Sequence, residues 1–160
     1  MVLASLFAAL TAVCAWLSIP LPPVSFTLQT FAILLALGVL GGKWGTVSVS
    51  LYLAMGLIGL PVFSGFRGGA AAFFDPTGGF LWGFAAGALV YWLTEKLGRL
   101  TAMVLAMIVF YACGCLWFSL YAGNAGLWAA VLTCVVPYLI PDAVKLWLAY
   151  TLSDRIRRHI

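Results

Sequence analysis

Apolar residues dominate this chain in long unbroken runs rather than in an alternating pattern. The stretch "TAMVLAMIVFYACGCLWFSLYAG" is typical, and continuous apolar runs near 20 residues predict membrane-spanning helices. Transmembrane strands would instead alternate apolar and polar residues over about 10 positions. Breakers divide the chain into runs at 2–19, 28–40, 46–60, 80–93, 101–121 and 127–152. "PLPP", "GGKWG", Pro61, "TEKLGR" and "AGNAG" stop the first five in turn. The last run contains Pro137 and Pro141. Proline lacks a backbone donor and suits the first turn of a helix. The reading is therefore a short helix over 127–136 and a sixth spanning helix that starts at Pro141.

Composition agrees with that pattern. Hydrophobic residues make up 65% of the 160 positions and charged residues 8%, against roughly 25% in a soluble domain. One all-α integral membrane domain over 1–160 is expected, a bundle of six transmembrane helices. The opening run has no basic flank and is longer than the apolar part of a secretion signal, so it reads as the first span.

The charges then orient the bundle. With six alternating passes, Lys43, Lys96, Arg99, Arg155, Arg157 and Arg158 fall on one side and only Arg67 on the other. Basic loops stay inside, so both termini are expected to be cytoplasmic, in a multi-pass protein of the plasma membrane. The basic residues follow topology rather than forming a patch interleaved with aromatics, which argues against nucleic-acid binding. No phosphate-binding loop, zinc-protease motif or nucleophile elbow occurs, so the chain has no means of its own to hydrolyse ATP and is not expected to be an enzyme. Cys14, Cys113, Cys115 and Cys134 are scattered through apolar runs and read as small hydrophobes. Neither a metal site nor a cofactor is expected.

Against this background "PYLIPDAVK" stands out. Asp142 and Lys145 are three residues apart and share one helical face. Arg155 lies 13 residues beyond Asp142, about 20 Å along a helix, which puts the pair near the outer leaflet. Ionisable groups at such depth cost several kcal/mol unless paired or solvated, and they point to function. Two readings compete: an ion pair that only fixes helix register, and a pair lining an outward-facing pocket. A ligand of that pocket would have an anionic end and an N–H donating end. "GFRGGAAAFFDPTGG" supplies Arg67, Asp75 and glycines able to approach a ligand closely. Thr27, Gln29 and Thr30, in the stiff, proline-rich first outer loop "IPLPPVSFTLQT", could reach the same pocket or serve as helix caps or surface groups. Ala4, Ala8 and Ala12, at four-residue spacing, permit close helix approach, either within the bundle or to a partner membrane protein.

Taken in order, "PLPPVSFTLQTFAILLALGVLGGKWG", "LYLAMGLIGLPVFSGFRGG", "DPTGGFLWGF" and "PYLIPDAVK" resemble the BioY family over nearly the whole chain. BioY proteins are the biotin-specific substrate-binding (S) components of energy-coupling-factor transporters. The resemblance implies a six-helix bundle with a biotin pocket near the outer face. Its implied partners are a transmembrane coupling subunit and two cytoplasmic ATPases. It maps biotin binding onto Asp142, Lys145 and Arg67, and partner docking onto Ala4, Ala8 and Ala12. Asp142 would accept from the ureido ring while Lys145 and Arg67 attract the carboxylate; the opposite assignment of ends stays open. Phe80 and other aromatics would pack the rings. Two departures stand out: Asp75 replaces the family's usual glycine, and Phe80 replaces its tyrosine. An autonomous biotin transporter or facilitator, working as an oligomer without ATPases, is the alternative.

Overall fold

The computed structural model describes residues 1–20, 24–121 and 126–159. Most of "PLPP" and "AGNAG" lies outside these. The elements are α1 (Val2–Trp16), β1 (Ser18–Ile19), β2 (Phe26–Thr27), α2 (Gln29–Leu57), α3 (Ala71–Phe74), α4 (Gly78–Thr94), α5 (Arg99–Tyr121), α6 (Leu127–Cys134) and α7 (Leu139–Arg157). Three stretches, Gln29–Leu57, Arg99–Tyr121 and Leu127–Arg157, are long and apolar enough to cross a membrane, and Val2–Trp16 is a shorter apolar helix.

The α2 segment is not one straight rod. Gly41 has φ 76° and ψ 175°, a backbone state that side chains oppose, and the chain reverses there. Gln29 Nε2 donates to Tyr52 Oη at 2.9 Å. In a continuous helix those residues would stand about 35 Å apart at 1.5 Å per residue. The arms 29–40 and 42–57 therefore lie side by side, and the breaker read from "GGKWG" acts as a hairpin. Glu95 stabilises the turn: its Oε2 accepts from the Gly42 N–H at 2.5 Å, satisfying a donor that the start of the second arm leaves free.

The α2 hairpin is the most buried of the long apolar segments; α1, α4 and α7 pack against it, while α5 packs mainly on α4 and α6 on α5. α1 lies on it through Ala4, Ala8 and Ala12, all three buried, and Ser48 Oγ on the second arm donates to Ala4 O. Within this single chain the stripe packs against α2. The small side chains serve helix–helix packing inside the chain, one of the two uses that four-residue spacing allows.

A second small-residue stripe went unread in the sequence. Gly79, Gly83 and Gly87 recur every four residues on α4 and face α5. A Cβ at Gly79 would strike Trp117 and the Cys113 carbonyl, and one at Gly87 would strike the Phe110 ring. Bare glycine lets the two helices approach backbone to backbone.

α7 begins at Leu139, two residues before the expected start. Pro141 still falls within its first turn, where a missing N–H leaves no intrahelical bond unmade. At the far end of α7, Asp154 pairs with Arg99 at the start of α5 and with Arg158 at 2.8 Å. The hairpin turn, Glu95, Arg99 and Asp154 thus gather at one end of the bundle. β1 and β2 pair antiparallel, Ser18 opposite Thr27 and Ile19 opposite Phe26, at the other end.

Candidate binding site

At the β1–β2 end, residues of β2, α2, α4, α5 and α7 together line a cavity. Its wall is mainly aromatic and aliphatic, with a few polar groups converging on it. Asp142, Lys145, Arg67, Gln29 and Phe80, expected from sequence to share a site, all line it.

Asp142 and Lys145 are each only 5% exposed. Lys145 Nζ donates to Asp142 Oδ1 at 2.6 Å, to the Thr27 carbonyl at 2.6 Å and to Thr30 Oγ1 at 3.4 Å, and it stands 3.9 Å from the Phe26 ring centroid. The three ammonium protons therefore have protein partners. The i, i+3 spacing read from sequence produces a direct ion pair, and the pair also fastens the 26–30 segment to α7. Tyr138 fastens it again: its hydroxyl donates to Val24 O and its ring stacks on Phe26.

The other carboxylate oxygen of Asp142 accepts a hydrogen bond from the Tyr111 hydroxyl of α5. Tyr111 is not among the site residues expected from sequence, and neither are Thr77, Phe84, Met107, Phe110 and Tyr138, which also line the cavity. For Tyr111 the available signal was a phenol in the middle of an apolar run, since a buried tyrosine hydroxyl needs a partner.

Gln29 sits at the head of α2 with its amide N–H on Tyr52, whose hydroxyl in turn donates to Val62 O at 3.1 Å. Tyr52, Phe63 and Phe73 meet edge to face, Tyr52–Phe63 and Phe63–Phe73 each at 5.6 Å, and of the three Phe63 reaches the cavity. Phe80 reaches the cavity from α4 across Gly114, where a Cβ would run into its ring.

Arg67 comes from a tight turn in which Phe63 N–H donates to Arg67 O at 2.9 Å. Gly65 and Phe66 both have positive φ, 71° and 57°. Phe66 is costly in that conformation and is held there by stacking on Trp16 at 5.3 Å. Arg67 pairs with Asp75 Oδ2 at 2.9 Å, side chains 48% and 40% exposed, and reaches Thr77 Oγ1 at 3.4 Å. Asp75, the departure from the family pattern, thus gives the cavity-lining arginine a counter-ion.

The site has the chemistry to hold a small, mainly apolar ligand. Asp142 offers acceptor capacity in a dry wall, and Arg67 offers the more solvated cationic group. Against known proteins, the BioY family model matches residues 1–160. The biotin transporter BioY of Thermotoga maritima is 39% identical, the match covering 97% of this chain and 94% of that one. A probable biotin transporter BioY of Pyrococcus horikoshii is 36% identical with the same coverage. Among solved structures, the crystal structure of the S-component for biotin from an ECF-type ABC transporter superposes with a TM-score of 0.88 at 30% identity, covering 97% of this chain and 88% of that one. With a family model matched from end to end and relatives that share this chain's length as well as its sequence, the protein belongs to the BioY family.

Proposed function

We propose that this chain is the biotin-binding membrane component of a vitamin uptake transporter, importing biotin across the plasma membrane when coupled to an ATP-driven module. The observation that carries this reading is the cavity itself. A carboxylate, a lysine and an arginine line one apolar pocket, in a fold similar to that of an S-component for biotin. Biotin presents ureido N–H donors at one end and a carboxylate at the other. Asp142 receives the ureido N–H groups, and Arg67 receives the carboxylate because Lys145 already gives its protons to the protein. Gln29 and Phe80 flank the ligand.

The chain acts as one membrane domain over 1–160, and the α2 hairpin counts as two of six passes. Both termini lie in the cytoplasm, and the cavity opens outward. Supporting this, Arg99 and the Gly41 turn gather at the end opposite the cavity, as basic loops retained inside would. A transmembrane coupling subunit and two ATPases supply the energy. The chain itself catalyses no reaction and needs no cofactor.

Calorimetry of the purified chain with biotin and a panel of other vitamins tests the substrate. Binding confined to biotin is expected, and heat from another vitamin alone would overturn the reading. Uphill biotin uptake by proteoliposomes containing this chain alone would favour an autonomous transporter. Replacing Arg67 by Ala tests the carboxylate end. Its pair with Asp75 is solvated and worth about 0–1 kcal/mol, so folding should hold. Biotin should bind several-fold more weakly, while biotin amide should lose little; equal losses would move the carboxylate elsewhere.

A further inference from the structure

Asp142 would face a ligand with two donors already in place. Lys145 Nζ holds Oδ1 and the Tyr111 hydroxyl holds Oδ2, from two different helices. Each carboxylate oxygen can accept about two hydrogen bonds. One acceptor direction on each oxygen is thus taken by protein, and the carboxylate plane is fixed between α5 and α7. Tyr111 also lines the cavity, so the bond it makes stands at the ligand's wall.

We infer that Tyr111 is a positioning and specificity-determining residue that aims the Asp142 carboxylate at ligand N–H donors. The inference rests on the biotin reading of the site. Its chemistry follows from the two bonds. A carboxylate gripped by an ammonium and a phenol stays an acceptor on its free side. It rewards a ligand with N–H groups in that direction and penalises one that brings an acceptor or a methyl group there. Lys145 alone would leave the carboxylate free to turn about the Cβ–Cγ bond. Tyr111, from the neighbouring helix, removes that freedom.

The test compares biotin with biotin methylated on a ureido nitrogen, by calorimetry on the whole chain in detergent. Wild type should prefer biotin strongly. Tyr111→Phe removes one oxygen and keeps the ring, so the chain should stay folded with a modestly lowered thermal midpoint. Biotin affinity should fall roughly tenfold, the scale of one hydrogen bond to a charged group. The methylated ligand should lose much less, so the preference between the two narrows. Incorporating 3-fluorotyrosine at 111 keeps the donor, and the preference should persist. Equal losses for both ligands in Tyr111→Phe, or an unchanged preference, would overturn the role of Tyr111 while leaving the biotin reading intact. A wild-type chain that binds neither ligand would overturn the biotin reading, and this role for Tyr111 with it.

Discussion

Replacing Asp142 by Asn should abolish measurable biotin binding and also lower stability in detergent by about 3–5 kcal/mol, the usual result of removing one partner from a buried ion pair. The cause is the neighbour left behind. Lys145 is 5% exposed, and with a neutral amide at 142 its charge has no counter-ion and keeps only neutral partners: the amide oxygen, the Thr27 carbonyl, a long contact to Thr30 and the Phe26 ring. Binding and folding therefore fall together in the single variant, which by itself cannot separate a site from a structural pair. The double variant Asp142→Asn/Lys145→Met does separate them. It removes both charges at similar volume, so much of the lost stability should return while biotin still fails to bind. Thermal unfolding and calorimetry on both variants provide the check. A double variant that binds biotin normally would reduce the pair to helix register.

The second large effect is expected at the α4–α5 contact. Gly79→Ala places a methyl group against Trp117 Cβ and 2.7 Å from the Cys113 carbonyl oxygen, so the helices must part. Gly83→Ala meets Phe110 and Cys113 atoms at 3.1–3.2 Å and needs a shift of only a few tenths of an ångström. Overpacking of this kind costs about 1–3 kcal/mol. Gly79→Ala should sit at the top of that range and Gly83→Ala below about 1 kcal/mol, read as thermal midpoints in the same detergent. The site should register the first change too, because Phe80 follows Gly79 directly and lines the cavity. Equal midpoints for the two variants would mean that the backbones are not in contact at Gly79.

These expectations show which parts of the molecule were readable beforehand. Element positions were, because glycine, proline and charge interrupt an otherwise uniform apolar text. The Gly41 reversal, the short α6 helix and the start of α7 within two residues all follow from breakers. The charged residues that line the cavity were readable because a charge in an apolar run is expensive and demands a reason. Helix faces were not. Lipid is as apolar as leucine, so no polar stripe marks the outside of a membrane helix and no periodicity marks the inside. Hence the alanine stripe of α1 could be seen but not assigned, and the glycine stripe of α4 went unnoticed. Tyr111 was hidden for a related reason: its need for a partner shows only when α7 is placed beside α5. The Glu95 bond to Gly42 crosses 53 positions of sequence and leaves no local trace.

The Gly41 reversal carries a consequence for the surrounding lipid. The arms 29–40 and 42–57 hold 12 and 16 residues, so they rise about 18 and 24 Å. α1 with 15 residues and α4 with 17 rise about 22 and 25 Å. A typical hydrocarbon layer is about 30 Å thick. α5, with 23 residues, rises about 34 Å and spans that layer in full. Lipid beside α1 and α4 therefore meets shorter walls than lipid beside α5, at a cost of fractions of a kcal/mol per ångström of mismatch. Acyl-chain length thus becomes a variable of how the two sides of the bundle are solvated.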